Sequence, residues 1–148
     1  MKQKDFTTTI LVDQSPEEVF NAVNNVGAWW PGEVNGDSQK ISDEFSYRYK
    51  ELHHTKQKLV EVVPNKKVVW LVTYSDLNYV DHKSEWEGTK IVFDITKKGS
   101  KTELRFTHEG LVPDVECYDS CSGAWTDIIT DSLQSLITTG KGVLIDLG

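Results

Sequence analysis

The stretch LRFTHEGLVPDVECYDSCSGAWTDIITDSLQSLITTGKG, residues 104–142, decides how this chain folds. Its start alternates. Leu104, Phe106 and His108 fall on one face of an extended segment, with Arg105 and Thr107 on the other. Pro113 ends that pattern and Asp114 follows as a candidate N-cap. The run from there to Thr139 reads as one long helix, stopped by Gly140 in the left-handed conformation that glycine tolerates. At about 1.5 Å per residue such a helix spans roughly 37 Å, enough to cross a whole sheet. Tyr118, Cys121, Trp125, Ile128, Leu133 and Leu136 approximate an apolar stripe, while Asp119, Asp127, Asp131 and Gln134 mostly face away. Gly123 costs about 1 kcal/mol relative to alanine inside a helix. It reads as a point of close approach to a strand, or as a kink.

Upstream, the chain is strand-rich. FTTTILV (residues 6–12) is β-branched and aromatic, and SPEEVFNAV follows with Ser15 as N-cap, Pro16 at the first helical position and acidic residues in the first turn. That helix is short and breaks near Gly27, before AWWPG. From about residue 38 to 110 the pattern is almost all strand. EFSYRYKE puts Phe45, Tyr47 and Tyr49 on one face. HTKQKLVEVV runs to the turn signal Pro64-Asn65, and KKVVWLVTY is apolar enough to be covered on both sides. GTKIVFDITKK places Ile91, Phe93 and Ile95 together, and Gly99-Ser100 turns the chain beside the solvated Lys97 and Lys98. Short strands joined by tight turns, with no strand–helix–strand alternation, mean an antiparallel meander. The expected class is α+β. The order of one strand, one or two short helices, about six strands and a long terminal helix is that of a helix-grip fold.

Bulk properties bound the rest. The 148 residues fit one domain over 1–148, long enough to bury a core without staples. A net charge of −7 repels nucleic acid and anionic membranes. No window approaches the roughly 20 apolar residues of a membrane span, so no membrane insertion is expected. The N-terminus lacks the apolar stretch of a signal peptide, and two cysteines without one suggest a reducing cytoplasm. Phosphate loops, Gly-x-Ser-x-Gly elbows and His-Glu-x-x-His motifs are absent from the sequence, which lowers nucleotide, esterase and zinc-protease readings. No cofactor and no metal are required.

Several stretches carry a closer likeness: VEVVPNKKVVW, SEWEGTKIVFDITKKG, TELRFTHEGLVP, ECYDSCSGAW and SLITTGKG. They resemble the START-like (SRPBCC, birch-pollen-allergen-like) superfamily. Within it they are similar to the subgroup named after the heat-shock protein 90 ATPase activator homologue, over roughly residues 6–142. The resemblance implies a cavity between curved sheet and long helix, where superfamily members hold lipids, hormones, flavonoid-like compounds or polyketides. Taking the more apolar face of each strand as the inner one, the expected ligand-binding residues are Trp30, Phe45, Tyr47, Trp70, Phe93, Phe106, His108, Tyr118, Cys121 and Trp125. The expected function is binding of a small hydrophobic molecule. Two rivals stand beside it: a cyclase- or hydrolase-like enzyme using the same cavity through His108, Tyr47 or Tyr118, and a chaperone partner of the activator type.

Individual residues keep bland and sharp readings side by side. Cys117 and Cys121 share a helix face, but helical Cβ directions seldom suit a disulfide. A zinc site wants four ligands and finds no second pair. Buried structural thiols, a redox sensor and a metal site remain, with the first favoured. His108 is either a satisfied core histidine or a polar handle in the cavity. His53 and His54, at a strand start, are expected to be solvated. His82, Asp81, Glu85 and Glu87 form either a charged surface or an acid–base cluster. Trp29-Trp30 either plugs the sheet–helix edge or forms a lid. Trp86 is expected on a strand face in the core.

Overall fold

The computed structural model describes residues 4–78, 80, 81 and 83–143. Seven antiparallel strands form one open, curved sheet: β1 (Phe6–Val12), β2 (Glu33–Gly36), β3 (Glu44–Tyr49), β4 (His53–Val63), β5 (Lys67–Leu77), β6 (Lys90–Lys98) and β7 (Lys101–Glu109). Their spatial order is β1-β7-β6-β5-β4-β3-β2. Each strand from β2 onward thus lies beside its sequence neighbour, and β1 returns to pair with β7. This is the expected helix-grip α+β architecture. Helix α1 (Pro16–Asn24) follows β1, and its start matches its residues: the Ser15 hydroxyl accepts from the Glu18 N–H at 3.2 Å, and Glu18 reciprocates. A 3₁₀ turn, Val26–Ala28, then leads to the tryptophan pair.

Period-2 alternation fixes the inner face of β7 and β6. Thr102, Leu104, Phe106 and His108 are buried, opposite Ile91, Phe93 and Ile95 across the register. Along β4 the inner set is Thr55, Gln57 and Leu59, two of them polar. The strand β2 was not foreseen. Four residues beside Pro31 and Gly32 carry too little pattern to announce a strand. Gly32 and Gly36 have positive φ, and a Cβ on Gly32 would lie 2.6 Å from the Arg48 carbonyl oxygen, so these glycines let β2 approach β3.

The terminal helix departs from expectation at its start and in its middle. It comprises α2 (Tyr118–Asp127), a π-helical segment (Ile128–Leu133) and α3 (Gln134–Thr139), running without interruption and ending at Gly140 with φ 85°. The start is at Tyr118 rather than Asp114. Residues 112–117 are occupied by turns, with Val115 N–H bonded to the Val112 carbonyl at 2.9 Å and Tyr118 N–H to Val115 at 2.9 Å. The orphan N–H groups of this entry are capped from across the molecule: the Glu85 carboxylate accepts from Glu116 and Cys117 at 3.1 and 3.0 Å. Gly123 makes no close approach. A Cβ there would meet open space.

The π segment explains the buried stripe. Cys121, Trp125, Ile129, Leu133 and Ile137 are all buried and recur every fourth residue. A strict four-residue step drifts around an α-helix of 3.6 residues per turn. The wider turn of a π segment takes up that drift and keeps the stripe on the sheet. Ser132, fully buried in this segment, donates to the Trp29 carbonyl at 2.6 Å and accepts from Val143 N–H at 3.2 Å. It ties the helix to the tryptophan pair and to the chain's return past Ala28. Ser132→Ala removes both partners while leaving the Trp29 carbonyl buried. Urea denaturation is expected to show a loss of about 1–3 kcal/mol, and an unchanged midpoint would deny Ser132 this tying role.

Candidate functional site

The five tryptophans gather at the contact of sheet, helix and loops. Trp29 is fully buried, its indole N–H donating to the Val23 carbonyl at 3.2 Å. Its ring stacks on Trp30 and Trp70 with centroids 6.3 and 6.2 Å away. Trp30 lies flat on Tyr47 at 3.7 Å and reaches Trp125 at 5.1 Å. Trp125 continues to Trp86 at 5.9 Å, nearly parallel. The tryptophan pair is therefore a plug: both rings are buried, and Trp30 also faces a cavity. Trp86 is buried as expected, but it sits in the loop between β5 and β6 rather than on a strand. Strand β5 extends to Leu77, and residues 83–88 form turns that carry the indole inward.

The cavity holds about 280 Å³ and is half enclosed. Its wall comes from Trp30, from Tyr47 and Tyr49 on β3, from Leu52 and His53 at the turn into β4, from Trp86, and from Ser120, Cys121, Ala124, Trp125 and Ile128 on the helix. Of the residues expected here, Trp30, Tyr47, Cys121 and Trp125 line it. Phe45, Trp70, Phe93 and Phe106 are buried deeper in the core and do not reach its wall; Tyr118 is half-buried beside it. The more apolar strand face does point inward. However, the mid-sheet rings Phe106 and Trp70 meet Trp125 and Trp30 in the core, and the cavity lies toward β3 and the β3–β4 turn. Tyr49 shares its face with Tyr47 and could have been included on that ground. Ala124 and Ser120 neighbour Cys121 and Trp125 on the helix, a signal too weak to single them out.

His108 is a core histidine. It is fully buried and does not touch the cavity. Trp125 Nε1–H donates to His108 Nδ1 at 3.2 Å. The ring proton is therefore on Nε2, which donates to Thr89 Oγ1 at 2.9 Å, while the Thr89 hydroxyl donates to the Trp86 carbonyl at 2.6 Å. Every polar atom of the ring is used, and helix, sheet and loop are joined through it. Burial, with His53 second, lowers its pKa to about 3.

His53 is not solvated. It borders the cavity between the Trp86 and Tyr47 rings, with centroids at 4.8 and 5.2 Å. Burial, with His54 second, lowers it to about 3 as well. The residue is partly exposed, and it borders the cavity. His54 points the other way, toward Arg48 and Tyr74.

Cys117 and Cys121 form a disulfide, where buried free thiols were expected. The pairing is possible because Cys117 precedes the helix and is not held to helical geometry; the Cα atoms are 5.4 Å apart. It removes the argument for a reducing compartment that rested on free thiols. Trp86 Nε1–H points at Cys117 Sγ at 3.4 Å, fastening the loop to the disulfide. The acidic cluster serves the same junction. Glu85 caps the helix entry, Glu87 accepts from the Ser75 N–H at 3.3 Å, and the Asp81 N–H donates to the Glu116 carboxylate at 2.9 Å. These carboxylates hold backbone and are not gathered around a reacting centre; His82 lies outside the described residues. No group of three or more His, Cys, Asp and Glu residues suited to a metal forms among the described residues, and no helix there is long and apolar enough to cross a membrane.

Fold and cavity together define a helix-grip protein with a small, aromatic-walled hollow at the open end of its sheet–helix wedge. The chain belongs to the family described as Activator of Hsp90 ATPase homolog 1-like protein, whose model matches residues 13–138. Solved structures agree on the fold. The Aha1 dimer from Colwellia psychrerythraea is 22% identical, with a TM-score of 0.76 over 94% of this chain and 99% of that one. Protein SSP2350 from Staphylococcus saprophyticus is 16% identical, with a TM-score of 0.71 over 97% and 98%. CalU16 from Micromonospora echinospora is 13% identical, with a TM-score of 0.63 over 90% and 74%. No curated protein matches the chain.

Two measurements follow from the buried groups. The unfolded chain protonates His108 near pH 6.5, whereas the folded chain resists protonation down to about pH 3. The stabilisation is complete above pH 6.5 and is lost as pH falls from there toward 3, by about 1.4 kcal/mol per pH unit for one histidine. Denaturation at pH 7 and pH 5 is expected to show the weaker fold at pH 5, and His108→Gln to remove about half of that dependence, because His53, also lowered to about 3, supplies a like share. Separately, closing a loop this short stabilises by about 2 kcal/mol in the chain-entropy model. Dithiothreitol should lower stability by up to that amount; no change in denaturation midpoint would mean the bridge contributes nothing.

Proposed function

We propose that this protein binds a small, largely apolar, ring-containing molecule in the hollow between β3, the β5–β6 loop and α2. One observation carries the reading: a half-enclosed cavity of about 280 Å³ walled by Trp30, Tyr47, Trp86 and Trp125. Small-molecule sites are concave and mostly apolar, with few polar groups, and run from about 300 Å³ upward. Benzene fills a cavity of about 150 Å³, so this one suits one or two rings. Extended lipids and large polyketides exceed it unless part of the molecule stays outside. Flat indole and phenol faces favour a flat guest, through stacking and edge contacts.

Binding is favoured over catalysis. His53, held neutral and weakly basic, is poorly matched to acid–base work near neutral pH. The Tyr47 hydroxyl is committed to the Pro31 carbonyl and the Ser120 hydroxyl to the Cys117 carbonyl. The chaperone reading draws only on the family's name.

The test is titration of one- and two-ring aromatics, followed by tryptophan fluorescence and by NMR shifts of Ala124 and Ile128. Saturable binding is expected, with a stabilisation of about 2.7 kcal/mol at a hundredfold excess over Kd. Ala124→Phe, which fills the hollow from the helix side, should abolish binding while the protein stays folded. Binding undiminished in that variant would place the guest elsewhere.

A further inference from the structure

The inner face of β4 begins with three polar residues in a row, His53, Thr55 and Gln57, where an all-apolar core strand would serve packing better. Thr55 and Gln57 are fully buried, and they are linked. Gln57 Nε2 donates to Thr55 Oγ1, and that oxygen lies 3.3 Å from His53 Nε2. A threonine hydroxyl has one proton to give. The oxygen can accept twice, so the contact fits either His53 tautomer; in the arrangement proposed below the Thr55 proton goes to His53 Nε2, whose lone pair accepts it. The single proton of the neutral ring is then on Nδ1. Nδ1 has no hydrogen-bond partner among the described residues, and unlike Gln57 Oε1 and Trp70 Nε1 it is not an occluded atom. It belongs to a ring that borders the cavity.

In that arrangement the wall presents an N–H donor, backed by the relay of Thr55 and Gln57. None of the lining residues is a lysine or arginine. A carboxylate guest would leave water without a countercharge, at high cost. A neutral acceptor fits the donor and the apolar wall together.

We propose that the cavity selects neutral one- or two-ring aromatic carbonyl compounds, with His53 Nδ1–H donating to the carbonyl oxygen and Thr55 and Gln57 acting as positioning residues. This deepens the binding function proposed above and rests on it. A site that holds a donor for its ligand discriminates against the analogue lacking the acceptor, because the donor is then left unpaired.

The experiment compares acetophenone with isopropylbenzene, which has nearly the same shape and no acceptor, by NMR titration. Acetophenone is expected to bind about three- to tenfold tighter, and His53→Phe to erase or invert that preference while still binding the hydrocarbon. Equal or tighter binding of isopropylbenzene to the unaltered protein, with a ratio unmoved by His53→Phe, overturns the carbonyl assignment and leaves the cavity reading standing. Binding of neither compound overturns both. Imidazole ¹⁵N shifts of the unaltered protein give a readout that needs no variant. His53 is expected to carry its proton on Nδ1, with Thr55→Val shifting it toward Nε2, and a proton found on Nε2 in the unaltered protein sinks the relay.

Discussion

The hydrogen bond from Trp125 to His108 joins the helix to the sheet, and much else is arranged around it. It sets the plane of the Trp125 indole, which is at once a core residue against Phe106 and a wall of the cavity. Through Thr89 the same imidazole holds the loop that carries Trp86, so two of the five large aromatic walls, Trp86 and Trp125, take their orientation from one ring. A neutral histidine suits this task because it accepts on one side and donates on the other. An aliphatic residue would fill the space and leave the indole N–H and the threonine hydroxyl to find other partners.

Around that junction, polar groups at the cavity end hold backbone and fix orientation. Glu85 caps the entry to the helix, and Trp86 meets the disulfide sulfur. Ser132 fastens the helix to the tryptophan pair from the other side. Each contact comes from a different part of the chain, and together they keep sheet and helix apart at one end while the remainder packs tightly. A hollow lined by stacked rings persists because its rim is bonded, not because its floor is under-filled.

Much of this was legible in the sequence. Alternation in Leu104–Phe106–His108 and Ile91–Phe93–Ile95 gave the inner sheet face, and the order of elements with the family likeness gave the architecture. The site was legible only in part. Trp30, Tyr47, Cys121 and Trp125 could be named because large or buried residue types point inward on any such fold. Phe45, Trp70, Phe93 and Phe106 point inward equally well, and no one-dimensional pattern says where along the wedge the helix lifts from the sheet. His53 was misjudged because polar residues near a turn are normally wet. Its partners Thr55 and Gln57 share its parity, and that run of polar residues on an inner face was the available clue. The disulfide was hidden because a four-residue spacing suggested two helical positions, whereas Cys117 stands just ahead of the helix.

The π-helical segment has a bearing on how this chain can change over time. A π segment holds one more residue in nearly the same rotation as ordinary helix, so removing one position between Ile128 and Leu133 would restore ordinary winding there and leave everything beyond it facing almost as before. Ile137 would keep its place in the interior, whereas a position lost from the ordinary turns on either side would swing it away. The rod therefore has one segment where a single position can be lost without turning its buried members outward. Descendants of this sequence are free to exchange side chains along the rod, while losses of single positions are confined to the loops and to this segment.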